Sequence, residues 1–480
     1  MWCQQSHTRL RTGDVWPMID STTGGRIMIT RIGNGLRLLA VAAFGCLAIP
    51  CGHAHAQGMR RAALVVSGQS AKAGDSVDSS TLTGKLIMGY QGWFNCPNDG
   101  TKVGWWHWFT GSGPTVDFLP NAADYPAAEQ CVTTMLDAAG NPVNLFSDAN
   151  PATVETQFAW MQQYGLDGVA LQRFSVDLLH KPTLDARNLV LANVRQAAED
   201  NGRVFFVMYD LTGLPNSKLN TVANDWKKLE REGITSSPAY LHHRGHPLLA
   251  VWGLGFAGRS LTPSATLNLL KSLDEASAKY GGVTIMGGVP SYWRMGVLDA
   301  SPDPKWQKVW PKLGVLSPWS VGRFDDDASA DSYSANVWAP DLVATHAFGV
   351  DYMPVLFPGY SFANTERSLG QPNPISNQIP RQCGRFYWRQ VYDAMGAGAT
   401  MLYGAMFDEV NEGTAMFKML PAAAEAPVKG IPPGYSFVTL DADGCPLPSD
   451  WYLSLAGAAT AAVHSGTPIS PNLPLPLPSD

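Results

Sequence analysis

Two short runs, Gly168–Phe174 (GVALQRF) and Val204–Tyr209 (VFFVMY), flank the helix-like stretch Leu184–Asn201. Both runs are largely apolar instead of alternating between apolar and polar residues, which is typical of strands buried on both faces. A strand, a helix and a second strand in this order form a unit in which the two strands are parallel. This stretch therefore predicts a parallel sheet with helices packed on its faces.

The same rhythm extends on both sides of this unit. Pro151–Tyr164 and Leu261–Tyr280 are also helix-like, and Asn150 followed by Pro151 is a plausible helix start. Nine apolar runs are candidate strands: Leu86–Tyr90, Val143–Phe146, Gly168–Phe174, Val204–Tyr209, Leu248–Trp252, Val283–Met286, Leu316–Arg323, Tyr352–Phe357 and Thr400–Phe407. Their alternation with helices predicts an α/β protein with a single (β/α)8 barrel, long loops at the catalytic face and one accessory run. An open doubly wound sheet is the alternative, but no GxGxxG motif follows the first strand.

The composition excludes several classes of protein. The 480 residues include 34 basic and 40 acidic side chains, a formal net charge of −6, and only 15% are charged. No run rich in Lys and Arg occurs, which argues against a protein that binds nucleic acid. The charge is also too low for a disordered acidic chain or a coiled coil. With 10% aromatic residues, 47 Gly and 35 Pro, the chain is expected to be rich in loops, with an aromatic-lined site.

The N-terminal residues 1–56 are interpreted as an extension and a secretory signal peptide. Arg31 and Arg37 precede the apolar run Leu38–Phe44, and Ala54–Ala56 fits a cleavage site before Gln57. A membrane anchor is the alternative, but the apolar run is broken and shorter than the ~20 residues that a span needs. We therefore expect a secreted or periplasmic protein with no membrane span.

The rest of the chain divides into three parts. Residues 57–83 are rich in Ser, Ala and Gly and predict a flexible leader. Residues 466–480 are rich in Pro and predict a tail. The barrel domain is therefore predicted to span residues 84–465, and we expect a monomer.

Four cysteines lie beyond the signal: Cys96, Cys131, Cys383 and Cys445. An even number in an exported protein permits disulfides, and four cysteines can pair in three ways. Cys96–Cys131 is favoured because both residues fall in one loop region. No CxxC motif occurs, so a structural zinc site is not expected.

In a (β/α)8 barrel, the functional side chains lie where the strands end. Nine residues at or near such positions are candidates for substrate binding: Gln91, Trp93, Asp148, Arg173, Asp210, Trp252, Trp319, Arg323 and Asp408. Indole faces stack on the C–H surfaces of sugar rings, and carboxylates and guanidiniums hold hydroxyl groups. Each residue alone could be an ordinary core or loop residue, but the set favours a neutral oligo- or polysaccharide.

The segment Met406–Thr414 (MFDEVNEGT) places three acids directly after an apolar strand. Glu409 and Glu412 share one side of the chain if it turns helically there. In a cleft, their like charges would separate the two pKa values, which suits acid/base cleavage of a glycosidic bond. The alternative is a helix N-terminus, where acids simply cap the helix and complement its dipole.

The same segment, Asp408–Gly413 (DEVNEG), resembles the Asn-Glu-Trp-x-Glu-Gly motif of glycoside hydrolase family 99 and its 71/99-like relatives, the endo-α-1,2-mannosidase group. The resemblance covers about residues 84–465. Four further stretches also resemble the 71/99-like group: Gly89–Phe94, Gly168–Phe174, Ser317–Arg323 and Arg385–Gln390. Val410 stands in place of Trp and Asp408 in place of Asn, differences that bear on the substrate more than on catalysis.

The resemblance implies a glycoside hydrolase with a (β/α)8 fold that acts on an α-linked, mannan-like glycan without metal or cofactor. Glu409 matches the base that assists the sugar 2-hydroxyl in forming an epoxide-like intermediate. Glu412 matches the acid that protonates the leaving oxygen and then activates water, with retention at the anomeric carbon. A non-catalytic glycan-binding protein on the same barrel is the main alternative, and a polysaccharide lyase is a third interpretation.

Three further features of the sequence each have more than one interpretation. The histidines of His242–His246 suggest a metal site, but they precede a strand and so fall at the bottom of the barrel. Asp325–Asp327 follows a strand and suggests either a sugar or Ca²⁺ contact or, more simply, a solvated loop. The loop around His107, flanked by Trp106 and Trp108, either supplies aromatic subsites or packs over the barrel mouth.

Overall fold

In the computed structural model, which describes residues 76–478, the chain forms a parallel β-barrel surrounded by helices. The barrel strands are β1 (Leu86–Tyr90), β2 (Gly168–Phe174), β3 (Val204–Asp210), β4 (His246–Trp252), β5 (Thr284–Pro290), β6 (Val315–Trp319), β7 (in two segments, Asp351–Tyr352 and Val355–Leu356) and β8 (Leu402–Gly404). The break in β7 includes Pro354, which has no N–H group to donate to a neighbouring strand.

The sheet closes on itself. Each strand from β1 to β6 pairs in parallel with the next. The first segment of β7 pairs with β6, its second segment pairs with β8, and β8 pairs with β1 through Leu86 and Leu402. This closed arrangement confirms the predicted (β/α)8 barrel and excludes the open doubly wound sheet.

Helices follow most strands. The α-helices are α1 (Pro151–Tyr164), α2 (Lys181–Asp200), α3 (Asn220–Arg231), α4 (Pro263–Ser277), α5 (Asp327–Tyr333), α6 (Ala339–Phe348), α7 (Ala363–Ser368), α8 (Arg385–Gly396) and α9 (Trp451–Ser465). A π-helical turn, Ser334–Trp338, joins α5 to α6. Between β5 and β6 the structure has 3₁₀ helices, Pro304–Lys308 and Trp310–Lys312.

The accessory run Val143–Phe146 does not form a barrel strand. It lies in the loop between β1 and α1, where Leu145 pairs with Cys131 through backbone bonds of 2.7 and 3.0 Å. Cys131 is bonded to Cys96, the pairing that the sequence favoured. The second disulfide joins Cys383 to Cys445 and so ties the loop before α8 to the loop before α9.

Residues on both sides of the predicted domain, 84–465, contact the barrel and its helices. The predicted signal peptide (1–56) and residues 57–75 of the predicted leader lie outside the described residues, as do residues 479–480. Residues 76–83 lie against the barrel, where Leu82 is fully buried and the Val77 amide donates to the Gly202 carbonyl at 2.9 Å. In the tail, the Ser470 carbonyl accepts a 2.9 Å hydrogen bond from Trp388 of α8. No helix within residues 76–478 combines the length and the apolar character that a membrane span requires.

Candidate active site

The acid segment forms a tight turn after β8 and is not the N-terminus of a helix. The Phe407 carbonyl accepts hydrogen bonds from the amides of Met416 and Phe417, both at 3.0 Å. The Phe407 amide in turn donates to the Gly89 carbonyl at 2.7 Å, which fastens the segment to the end of β1. A Cβ atom on Gly89 would lie 2.3 Å from both the Met406 sulfur and the Tyr403 hydroxyl, so a larger residue would force these buried side chains to move.

Glu409 is the most constrained of the three acids. Its side chain is buried, and one oxygen accepts from the backbone amides of Asn411 at 2.7 Å and Glu412 at 3.1 Å. The other oxygen accepts from Gln91 Nε2 at 2.8 Å. These three donors fix the carboxylate in one orientation.

Glu412 is partly exposed, and its carbonyl accepts a 2.9 Å hydrogen bond from the Ser361 amide after β7. Burial raises the pKa of Glu412 to about 7, and the charge of Asp210 at the end of β3 adds to the rise. Burial likewise raises the pKa of Glu409 well above its usual value, with a further contribution from the charge of Glu412, while the backbone donors act in the opposite direction. The structure therefore brings Glu409, Glu412 and Asp210 into one electrostatic unit.

Asp408 does not face a substrate. It is fully buried, and its two oxygens accept the backbone amides of Gln91 at 2.8 Å and Gly92 at 2.9 Å. Burial raises its pKa to about 7, against the effect of these amides. Asp148 is also fully buried and accepts from the Phe94 amide at 2.9 Å. Both carboxyls hold the turn that follows β1, so the structure assigns them a positioning role instead of the predicted contact with substrate.

Arg173 also lies away from the predicted position. Its guanidinium forms a buried pair with Asp225 of α3, at 2.6 and 2.8 Å, and donates to Asn188 of α2 at 2.7 Å. Successive side chains of a strand point to opposite faces, and Arg173 points toward the helices while its neighbour Gln172 approaches Tyr403 of β8. Arg173 therefore belongs to the barrel wall.

The aromatic candidates fall into two groups. Trp252 and Trp319, at the ends of β4 and β6, are partly exposed and meet edge to face with ring centres 5.8 Å apart. Arg259 lies over the Trp252 ring at 4.8 Å. Arg323 is partly exposed and pairs with Asp299 at 2.8 Å. Trp252, Trp319 and Arg323 are thus partly exposed at or just after the carboxyl ends of β4 and β6.

Trp93 behaves differently, because its indole is stacked on both His107, with ring centres 3.7 Å apart, and Phe174, at 4.8 Å. The plane of the Trp93 indole is inclined by only 8° to the His107 ring and by 22° to the Phe174 ring. The faces of Trp93 are therefore occupied by rings of the protein itself.

Two further residues hold the acid segment and were not identified from the sequence. Asn411 Nδ2 donates to the His107 carbonyl and to Thr115 Oγ1, both at 2.9 Å. Arg381 Nη2 donates to the carbonyls of Gly413 and Ala415, both at 2.8 Å. Arg381 comes from the loop before α8, so a search at the strand ends could not find it, whereas Asn411 lies within the acid motif.

Several buried polar atoms beside the acids have no hydrogen-bond partner within residues 76–478. They are Gln91 Oε1, Gln172 Oε1, Asn411 Oδ1 and Trp252 Nε1. Buried polar groups are nearly always paired, so unpaired ones at the carboxyl ends of the barrel strands and in the acid segment suit a polar ligand. The same described part of the chain contains no group of three His, Cys, Asp or Glu side chains placed to hold a metal ion. The His242–His246 hairpin lies at the bottom of the barrel, where His243 bonds Asp351 at 2.8 Å.

Comparison with known proteins shows what this architecture resembles. No family model matches the chain, and no curated protein matches its sequence. Among solved structures, the GH99 endo-α-mannosidase of Bacteroides thetaiotaomicron, in complex with bis-tris-propane, superimposes with a TM-score of 0.56 at 15% identity, covering 80% of this chain and 98% of that one. A second structure of that enzyme superimposes with a TM-score of 0.55 at 15% identity, covering 80% of this chain and 99% of that one. The chain therefore shares the barrel fold of the GH99 endo-α-mannosidase over most of its length.

Proposed function

We propose that this protein is a glycoside hydrolase that cleaves an α-linked, mannan-like glycan with retention, using Glu409 and Glu412. The observation that carries the proposal is the pair itself: two carboxyls, interacting through their charges, held at the carboxyl end of β8. The fold shared with an endo-α-mannosidase supports the glycan as substrate.

The surroundings of the two acids favour different roles. Glu409 accepts three N–H donors, which favour its ionised form and oppose the burial that raises its pKa, and a base acts in the ionised form. Glu412 is partly exposed, and its pKa of about 7 leaves it protonated in slightly acidic solution, as an acid requires. Glu409 therefore activates the nucleophile, which is the sugar's own 2-hydroxyl by resemblance, while Glu412 protonates the leaving oxygen and later deprotonates water.

The barrel mouth supports a neutral sugar. Trp252 and Trp319 offer partly exposed rings, and the unpaired amide oxygens of Gln91 and Gln172 accept hydroxyl donors. The nearby guanidinium of Arg323 is already paired with Asp299. Anionic glycans would meet the charge of Asp210 and of the acid pair, so we expect neutral glycans to be preferred.

Export is part of the same proposal. The two disulfides, Cys96–Cys131 and Cys383–Cys445, suit an oxidising compartment. Together with the signal-like features of residues 1–56, they support a secreted or periplasmic location.

The test is a screen of the mature protein on neutral mannans, glucans and xylans, with the anomers of the products followed by proton NMR. We expect hydrolysis of an α-linked glycan with retention, and a loss of at least 1,000-fold, the order found when a catalytic group is removed, in Glu412→Gln and Glu409→Gln. Glu425→Gln, an exposed carboxyl in the 3₁₀ turn Ala423–Glu425, is the matched control.

The alternatives predict other results. Binding of a glycan without turnover of any glycan would identify a non-catalytic binding protein. Products that absorb in the ultraviolet would identify a lyase. Unchanged turnover in Glu412→Gln would contradict the role of this residue.

A further inference from the structure

His107 has an unusual backbone conformation beside the acid segment. Its φ is +63°, in the left-handed region that residues with a side chain rarely adopt. Its carbonyl accepts two hydrogen bonds, from Thr115 Oγ1 at 2.5 Å and from Asn411 Nδ2 at 2.9 Å. Such a conformation persists only where its surroundings enforce it, and here these two donors do so.

One of these donors also holds the proposed base. The backbone amide of Asn411 donates to Glu409 at 2.7 Å, while its side chain holds the His107 carbonyl. Asn411 therefore fixes the position of His107 relative to the acid pair.

The imidazole is the outer member of an aromatic stack. It lies parallel to the Trp93 indole at 3.7 Å, and the indole is also stacked on Phe174. His107 is partly exposed, and its ring covers a face of Trp93, the residue that the sequence had predicted to bind the sugar.

Among the residues that the structure describes, none hydrogen-bonds a ring nitrogen of His107, whereas Asn411 Nδ2 and Thr115 Oγ1 already form hydrogen bonds. Burial lowers the pKa of His107 well below its usual value, and the charge of Arg187 contributes. The imidazole is therefore neutral near pH 7, with one donor and one acceptor, which suits the hydroxyl groups of a sugar.

We propose that His107 contacts the substrate directly and determines specificity, binding hydroxyl groups of the sugar unit held beside Glu409 and Glu412. The proposal rests on the proposed function and names a residue of the same site. A purely structural role, in which His107 only covers Trp93, is the competing explanation.

The positive φ allows a clean test. His107→Gly removes the ring but suits the backbone conformation, so the hydrogen bonds to the carbonyl are retained. His107→Asn also tolerates this conformation and keeps a donor and an acceptor. Asn98→Gly, an exposed residue of the same loop with φ of +71°, is the matched control.

The probe is a set of yeast α-mannan oligosaccharides, used for hydrolysis by the wild type and for calorimetric binding in the Glu412→Gln background. We expect His107→Gly to weaken binding and lower kcat/KM by about tenfold or more, the scale of one or two lost hydrogen bonds, with Tm unchanged. His107→Asn should recover part of this loss. The ratio of kcat/KM between the wild type and His107→Gly should stay constant between pH 6 and 8.

Two results would overturn the proposal. The first is a dissociation constant of His107→Gly within twofold of that of the protein with His107. The second is a loss of binding that appears only together with a matching fall in Tm. Failure of the proposed function is distinguishable, because a wild type that binds these oligosaccharides without hydrolysing any glycan still allows the binding comparison to be made.

Discussion

Gln91 Nε2 lies 2.8 Å from Glu409 Oε2, joining residues 318 positions apart in the chain. The contact links the end of β1 to the turn after β8. Asp408 reinforces this link, because its carboxylate accepts a hydrogen bond from the backbone amide of Gln91. The proposed base is therefore oriented by the first strand of the barrel as much as by its own segment.

Replacing Gln91 with Leu should shift the acidic limb of the pH profile. The change removes a donor that stabilises ionised Glu409, so the pKa of Glu409 rises. We expect the acidic limb of kcat/KM to move to higher pH by about one to two units, since a hydrogen bond to a charged group contributes about 1.5–3 kcal/mol. Gln196→Leu, on the exposed face of α2, is the control, and an unshifted limb in Gln91→Leu would show that this donor does not tune the base.

Replacing Asp210 with Asn should shift the basic limb of the pH profile of kcat/KM to lower pH. Negative charge on Asp210 helps to raise the pKa of Glu412 to about 7, so neutralising it lowers that pKa. Activity that needs protonated Glu412 should then be lost at lower pH than in the wild type. Asn keeps an oxygen to accept from the Thr212 amide, a 2.7 Å hydrogen bond, so the fold should be preserved. Asp185→Asn, on the exposed face of α2, is the control. If the basic limb does not move in Asp210→Asn, the charge of Asp210 does not influence the pKa of Glu412.

The stability of the protein should fall as the pH rises from 5 to 8. Burial raises the pKa values of Asp408 and Asp393 to about 7 and of Asp341 to about 6. A carboxyl with a raised pKa binds more protons in the folded than in the unfolded chain between about pH 4 and 7, so it favours folding at low pH. Tm measured by calorimetry should therefore be higher at pH 5 than at pH 8.

Asp393→Asn provides the check on this trend. Because Asn does not titrate, the dependence of Tm on pH should be shallower in this variant. An equal slope would show that Asp393 does not contribute.

Replacing Arg173 with Met should destabilise the barrel. The change leaves Asp225 buried without its partner, which costs about 3–5 kcal/mol. The double variant Arg173→Met with Asp225→Leu should recover most of that loss, as followed by urea unfolding. The KM of the double variant should stay close to that of the wild type, whereas a large increase in KM would return Arg173 to the substrate site.

The sequence predicts the scaffold better than the fine structure of the site. Apolar runs such as Val204–Tyr209 mark the strands because burial on both faces demands a continuous apolar stretch. Position after a strand also locates Glu409, Glu412 and Asp210. Position at the end of a strand does not reveal whether a side chain points into the barrel mouth or toward the helices. Arg173 points toward the helices.

The remaining differences arise from contacts distant in sequence. Trp93 has the right residue type for a sugar platform, but the stacking of His107 on it depends on how the loop between β1 and α1 folds back. Arg381 reaches the acid segment from a loop that no pattern associates with it. Such partners depend on the packing of long loops, which periodicity does not report.

The pairing of β8 with β1 also has a consequence for the order in which the protein is made. Strands β1 to β7, with most of the side chains expected to hold the sugar, are synthesised before Glu409 and Glu412. A nascent or truncated chain that ends before residue 402 has neither the acids nor the strand that closes the sheet. Competence for the proposed reaction is thus acquired only after Glu412 has been added, when β8 is available to pair with β1 and close the barrel.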